Sequence, residues 1–276
     1  MTLDSLVLSI IKKGNPCAVH LDVGYDELPQ EFRLDDKAKS VIEFNRRVID
    51  TVHDITPAVS VNTPSLMRYG TDAVADVVSY AREKKMFAIA DAKCSGEPVS
   101  SKAEAEFYYD SLGFDCVTVV PYYGSDGLKP FIERCKTREK SMFVVSHSDN
   151  GSPTEFQELM AGMRMLYRAA CERAFLWNEK TEGNMGYGSI GVMLGGLPRE
   201  VLREFRNSYK NMPFLLTGYD GKRNSAESIS PAFDLRGLGG IASVGRLITL
   251  PQTDGDWKEA VRTSAENVQK DLRLCF

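Results

Sequence analysis

Met86-Phe87-Ala88-Ile89-Ala90-Asp91-Ala92-Lys93 runs apolar for five residues and then turns abruptly to charge, with Cys94-Ser95-Gly96 as the turn behind it. An apolar run of this length, bounded by turn residues, predicts a buried parallel strand over Met86–Ala90. Two residues apart in a strand, the Asp91 carboxylate and the Lys93 ammonium point to the same side. At the carboxyl end of such a strand they form a charged pair facing a cleft, whereas alone they describe an ordinary salt bridge at a strand end. The rest of the chain decides between the two.

Working outward, apolar runs recur at Cys17–Leu21, Ala58–Asn62, Cys116–Val120, Met142–Ser146, Ser189–Leu194, Phe214–Thr217 and Gly240–Val244. Amphipathic segments lie between them, at Lys37–Val52, Thr71–Lys84, Ala103–Leu112, Phe156–Phe175 and Pro198–Tyr209, and Trp257–Leu272 closes the chain. Eight strands alternating with helices predict a single α/β TIM barrel, (β/α)8, over residues 1–276. Residues 1–14 form a short amphipathic helix ended by Gly14 and packed on that barrel. In this fold the site sits at the carboxyl ends of the strands. The candidates there are Asp22, Ser60 and Asn62, Asp91 and Lys93, Thr118, His147 to Asn150 (including Asp149), Thr217 and Gly218, and Gly245 and Arg246. Glycine lets backbone N–H groups approach an anion, and arginine adds a forked donor, so Gly218, Gly245 and Arg246 predict a phosphate site after strands 7 and 8.

Bulk properties bound the function. With 276 residues, 43% hydrophobic and 26% charged, the chain has a globular composition and the length for one large barrel. A formal net charge of −4 argues against a general binder of nucleic acid or anionic membrane. No run is long and apolar enough to span a bilayer, and the N-terminus is too short and mixed for a signal peptide. The default location is therefore intracellular and cytoplasmic. Six cysteines without C-x-x-C or zinc-type spacing read as reduced thiols. Cys94 stands out because the charge of Lys93 could lower its pKa, although a filler role fits it better. His20, His53 and His147 have no metal-site spacing, and His20 and His147 sit where they could line a cleft. No metal and no cofactor is expected.

The strand ends resemble the orotidine 5'-phosphate decarboxylase family from about Cys17 to Ile248. The resemblance is carried by Leu21-Asp22, Asp91-Ala92-Lys93, Thr118, Pro121-Tyr122-Tyr123-Gly124-Ser125-Asp126 with Pro130-Phe131, Ser148-Asp149-Asn150 with Gln157, and Gly245-Arg246, in that order. It implies a TIM barrel, a nucleotide monophosphate or other phosphorylated small molecule as ligand, and a homodimer through the barrel mouth. The loop after Lys93 and the Pro121–Phe131 loop would form that interface. It also implies a Lys-Asp-Lys-Asp tetrad, in which Lys93 donates a proton to the carbanion-like carbon left by the departing carboxylate and Asp91 is its neighbour.

Two tetrad members are absent. The lysine after strand 2 falls on Ser60 and the second aspartate on Gly96, with Glu97 adjacent to it. The serine that reads the pyrimidine falls on Asp149. The phosphate loop is altered to Thr217-Gly218-Tyr219-Asp220 and Gly221-Lys222-Arg223-Asn224, and Leu247 replaces the glycine after Arg246. Lost preorganised charge commonly costs orders of magnitude in rate. The favoured expectation is a pseudoenzyme that keeps the fold and a phosphate or nucleotide site, with a protein partner as one outlet for such a scaffold. The alternatives are a lyase converting orotidine 5'-phosphate to UMP in pyrimidine biosynthesis with Glu97 filling in, and a changed reaction on another phosphorylated compound using Asp91 and Lys93.

Overall fold

The structure is a computed structural model and describes residues 1–222, 224–253 and 255–276. Eight strands, β1 (Cys17–Leu21), β2 (Ala58–Asn62), β3 (Phe87–Cys94), β4 (Cys116–Val119), β5 (Ser141–His147), β6 (Ile190–Gly195), β7 (Phe214–Thr217) and β8 (Gly240–Val244), close into a parallel barrel. Strands pair in chain order, and β8 returns to β1 with Cys17 opposite Ala242. The expected fold class is the observed one.

The period of two inside each strand builds the barrel in layers. Ala18, Ala58, Ile89, Cys116, Leu215 and Ile241 belong to one buried apolar cluster. Two residues further along six strands come His20, Ser60, Asp91, Thr118, Thr217 and Ser243. An apolar floor thus gives way to a polar layer at the carboxyl ends. The floor is sealed from the other end by the N-terminal helix, Leu3–Lys13, whose Leu3, Leu6, Val7 and Ile10 join the same cluster. Thr2 caps that helix through its hydroxyl, and Gly14 ends it in the left-handed conformation at φ 56°.

Two expected helices differ. The segment predicted over Ala103–Leu112 is the continuation of a helix that starts at Pro98, the favoured first helical position for proline, and turns into a π-helix at Glu106–Ser111. The helix predicted over Phe156–Phe175 begins only at Leu166 and runs to Asn178. Ahead of it lie a 3-10 turn at Pro153–Glu155 and a two-stranded hairpin, Met160–Ala161 against Arg164–Met165. Gly162, at φ 72°, makes the tight reversal. Met160 and Met163 are exposed, so the apolar spacing that suggested a helix comes from side chains that bury nothing against the barrel.

Candidate active site

β3 does not stop at Ala90, as predicted, but carries the charged motif inside its own last turn, to Cys94. Its register against β4 shifts between Ala90 and Cys94, and Lys93 takes a left-handed φ of 52°. For a lysine that conformation costs roughly 1–2 kcal/mol, so something must hold it. Thr118 on β4 does: its Oγ1 accepts from the backbone N–H of Ala92 at 3.1 Å and of Lys93 at 2.9 Å. The same hydroxyl donates to Asp91 Oδ1 at 3.3 Å. Lys93 Nζ donates to Asp91 Oδ1 at 2.6 Å. Asp91 is only 7% exposed while the Lys93 side chain is 45% exposed, so a sheltered carboxylate is met by an ammonium on the open side.

The pair faces a cavity of about 540 Å³ at the barrel mouth. Of the candidates, Asp91, Lys93, Asp149, Asn150, Gly218 and Gly245 line it, as do Ser60 and Thr217. Its remaining walls include His20, Ser148, Gln157, Val145, Met193 and Ser243. Gln157 pins the loop after β5. Its Oε1 accepts from Ser148 N at 2.8 Å, and its Nε2 donates to Ser148 Oγ at 2.7 Å. The Asp149 carboxylate accepts from Thr217 Oγ1 at 3.4 Å and lies so close to Gly218 that a Cβ there would collide with it. Glycine at 218, with φ 81°, is therefore required twice.

Five candidates stand elsewhere. Thr118 lies beneath the cavity and acts on Asp91. Asn62 is an N-cap, its Oδ1 accepting from Ser65 N at 3.1 Å. Glu97 is exposed at the start of the helix Pro98–Ala105 and lines no part of the cavity. Arg246 stands at the rim with Asp22. Its Nε donates to Asp22 Oδ2 at 3.2 Å, its Nη2 to Glu27 Oε2 at 2.9 Å, and its Nη1 to Glu27 Oε1. The fork expected to meet phosphate is thus clamped on two carboxylates, which raise its pKa, the Glu27 contact most. Asp22 Oδ1 is buried and meets no partner among the described residues. Arg223, from the expected phosphate loop, lies outside the described residues.

Two further expectations change. Cys94 is 4% exposed, and burial followed by Glu104 pushes its thiol pKa up, so the ammonium of Lys93 does not activate it. His147 is buried away from the cavity, with Nδ1 2.6 Å from Gly195 O and Nε2 3.1 Å from Glu158 Oε1. A register shift of β5 between Val145 and His147 takes it out of the inward alternation. His20 does line the cavity, with Nδ1 3.2 Å from Ser60 Oγ. Among the described residues no cluster could hold a metal ion, and no helix is long and apolar enough to cross a membrane.

Residues 34–261 match the sequence model of the orotidine 5'-phosphate decarboxylase / HUMPS family. A Clostridium acetobutylicum orotidine 5'-phosphate decarboxylase is 29% identical, covering 99% of this chain and 99% of the relative. A Caldicellulosiruptor bescii enzyme of the same name is 26% identical over 99% of this chain and 98% of its own. The solved Leishmania donovani OMP decarboxylase superposes with a TM-score of 0.80 at 23% identity, over 100% of this chain and 99% of that one. At that identity the superposition speaks for the shared barrel.

Proposed function

Because the chain belongs to the orotidine 5'-phosphate decarboxylase / HUMPS family, we propose that it is a lyase that binds a pyrimidine nucleotide monophosphate at the barrel mouth and converts orotidine 5'-phosphate to UMP. The observation that carries this reading is the Asp91–Lys93 pair, held at 2.6 Å by Thr118 at the edge of the mouth cavity. Its chemistry suits a decarboxylation. The bond from ring carbon to carboxylate breaks, CO2 leaves, and the electron pair left on the ring takes a proton. Asp91, sheltered and fixed, repels a substrate carboxylate placed beside it, while Lys93 holds a proton within reach of the same point. Gly218 and Gly245 bring bare backbone to the cavity wall, and at Gly218 the Asp149 carboxylate would have to give way to a phosphate.

A specific observation also favours a second reading, a nucleotide-binding barrel without turnover. Ser60 and Gly96 supply neither the ammonium nor the carboxylate that the family places there, and Glu97 lies outside the cavity. A lost electrostatic donor typically costs about 10² to 10³ in rate. Turnover is therefore expected well below that of the curated relatives. Calorimetric titration with UMP and orotidine 5'-phosphate, followed by a turnover assay with Lys93→Ala as control, separates the readings. Slow decarboxylation that Lys93→Ala abolishes supports the lyase. Binding without turnover leaves the silent barrel, and no binding of either nucleotide removes both.

A further inference from the structure

Permanent charge is scarce in the mouth cavity. Among the described residues lining it, Asp91 and Asp149 are anionic and Lys93 is the one permanent cation. Asp91 already holds Lys93, and Arg246 stands outside the lining in the grip of Glu27 and Asp22. A carboxylated nucleotide brings further negative charge to this site. Gathering anions in a sheltered cavity without compensation is costly, so charge must be supplied as the ligand enters. One lining group can acquire it.

That group is His20. It lies opposite Ser60 across the β1–β2 ladder, and its Nδ1 is 3.2 Å from Ser60 Oγ. Gly245 flanks the ring on the β8 side, where a Cβ would lie 3.6 Å from His20 Cδ2. Nε2 meets no hydrogen-bond partner among the described residues. A hydroxyl both donates and accepts, so Ser60 can donate to Nδ1 of the neutral ring or accept from it once the ring is protonated. Ser60 thus tolerates both states of its neighbour, whereas a lysine there would repel the imidazolium.

We propose that His20 takes up a proton from solvent when a carboxylate-bearing nucleotide enters the mouth, and that the imidazolium is the second cation facing Asp91 and the ligand. The inference rests on the nucleotide reading above. The groups that face His20 set its resting state. Burial lowers its pKa most, Asp91 and then Asp22 raise it, and Lys93 and Arg246 lower it, with a net lowering. The ring is therefore neutral at neutral pH, which leaves a proton to be gained on binding. UMP, which lacks the ring carboxylate, demands less of it.

The test is calorimetry of orotidine 5'-phosphate and UMP at about pH 7.5, above the ordinary histidine range, in buffers of different ionisation enthalpy. Wild-type protein is expected to take up close to one proton with orotidine 5'-phosphate and clearly less with UMP. His20→Gln should abolish the difference and weaken orotidine 5'-phosphate relative to UMP about tenfold, the scale of a charged hydrogen bond. Ser60→Lys, which supplies a permanent cation, should also remove the uptake. Equal uptake for the two nucleotides, or undiminished uptake in His20→Gln, overturns the inference. The chain has three histidines, so the His20 ring can also be followed by NMR in wild-type protein should a variant fail to fold. A ring that becomes imidazolium with orotidine 5'-phosphate but not with UMP supports the inference, and an unmoved ring overturns it. Binding with an unmoved His20 leaves the nucleotide reading standing, whereas no binding of either nucleotide removes that reading and this inference together.

Discussion

Arg246 has two calls on its charge. It is tied to Glu27 and Asp22, yet it follows Gly245 at the end of the last strand, where a barrel of this kind holds phosphate. Its side chain is 51% exposed, so the pairing contributes little to stability and can be given up. If phosphate takes the fork over, Arg246→Ala should weaken UMP binding by about 1.5–3 kcal/mol. Glu27→Gln should tighten it by up to about 1 kcal/mol, because one competitor for the guanidinium is gone. Titration of both variants decides, and unchanged affinity in both would put the phosphate elsewhere. At this scale the sequence shows some residues and hides others for a physical reason. Asp91 and Thr118 are legible because strand alternation fixes where they point, whereas Lys93 reaches the same carboxylate through a left-handed turn that no alternation shows. Glu27 is not, since its partner is 219 positions away on a different connection. Asn62 sits where a ligand contact was expected, but an asparagine before a helix serves equally as a cap, and here it does.

The strands are legible as elements because each is an unbroken apolar run, and the differences gather where a segment packs on one side only. Residues 156–165 have helix-like spacing but no face against the barrel, so Gly162 and the hairpin prevail. The helix Arg199–Ser208 shows the converse, an element anchored by a charge that no pattern flags. Arg206 is 6% exposed, and burial lowers its pKa to about 10. Its guanidinium donates to the carbonyls of Ala232, Tyr209, Lys210, Met212 and Gly239, and it stacks 3.8 Å from the centre of the Phe214 ring. It thereby ties this helix to the loops that feed β7 and β8. Arg206→Met keeps the apolar stem but takes the guanidinium from five carbonyls, of which Tyr209 and Gly239 keep the backbone N–H of Met212 and Phe214 while those of Ala232, Lys210 and Met212 lose the donor shown for them. We expect a loss of about 3–5 kcal/mol, seen as a lower denaturant midpoint at unchanged slope. Arg206→Lys should recover only part of it, because a three-donor ammonium cannot reproduce a planar five-donor fork. A variant as stable as wild type would show that those contacts contribute nothing net.

At the scale of the whole molecule, apolar side chains collect outside the barrel mouth. Tyr122 is 74% exposed, Phe156 50%, Met160 64% and Met163 99%, all on the loops after β4 and β5. Tyr122 and Phe156 already meet, with ring centres 5.9 Å apart. The loop after Lys93 adjoins this patch, since a Cβ on Gly127 would strike the Gly96 carbonyl. Of the three loops that meet here, those after Lys93 and β4 are the two expected to form a homodimer interface, and the loop after β5 adds Phe156, Met160 and Met163. A cluster of large exposed apolar groups around one opening is what a second copy of the chain would cover. We therefore expect a dimer in light scattering at micromolar concentration, and a monomer for Tyr122→Glu combined with Met163→Glu. A further consequence is particular to this sequence. The aspartate that the resemblance implies after the β3 motif falls on Gly96, which has no side chain to reach a neighbouring copy. Dissociation should then disturb the mouth cavity less than it would in a tetrad enzyme, and the monomeric double variant should keep its affinity for UMP. A wild-type monomer would overturn the interface, while a monomeric variant that loses UMP would show that the partner completes the site through some group other than residue 96.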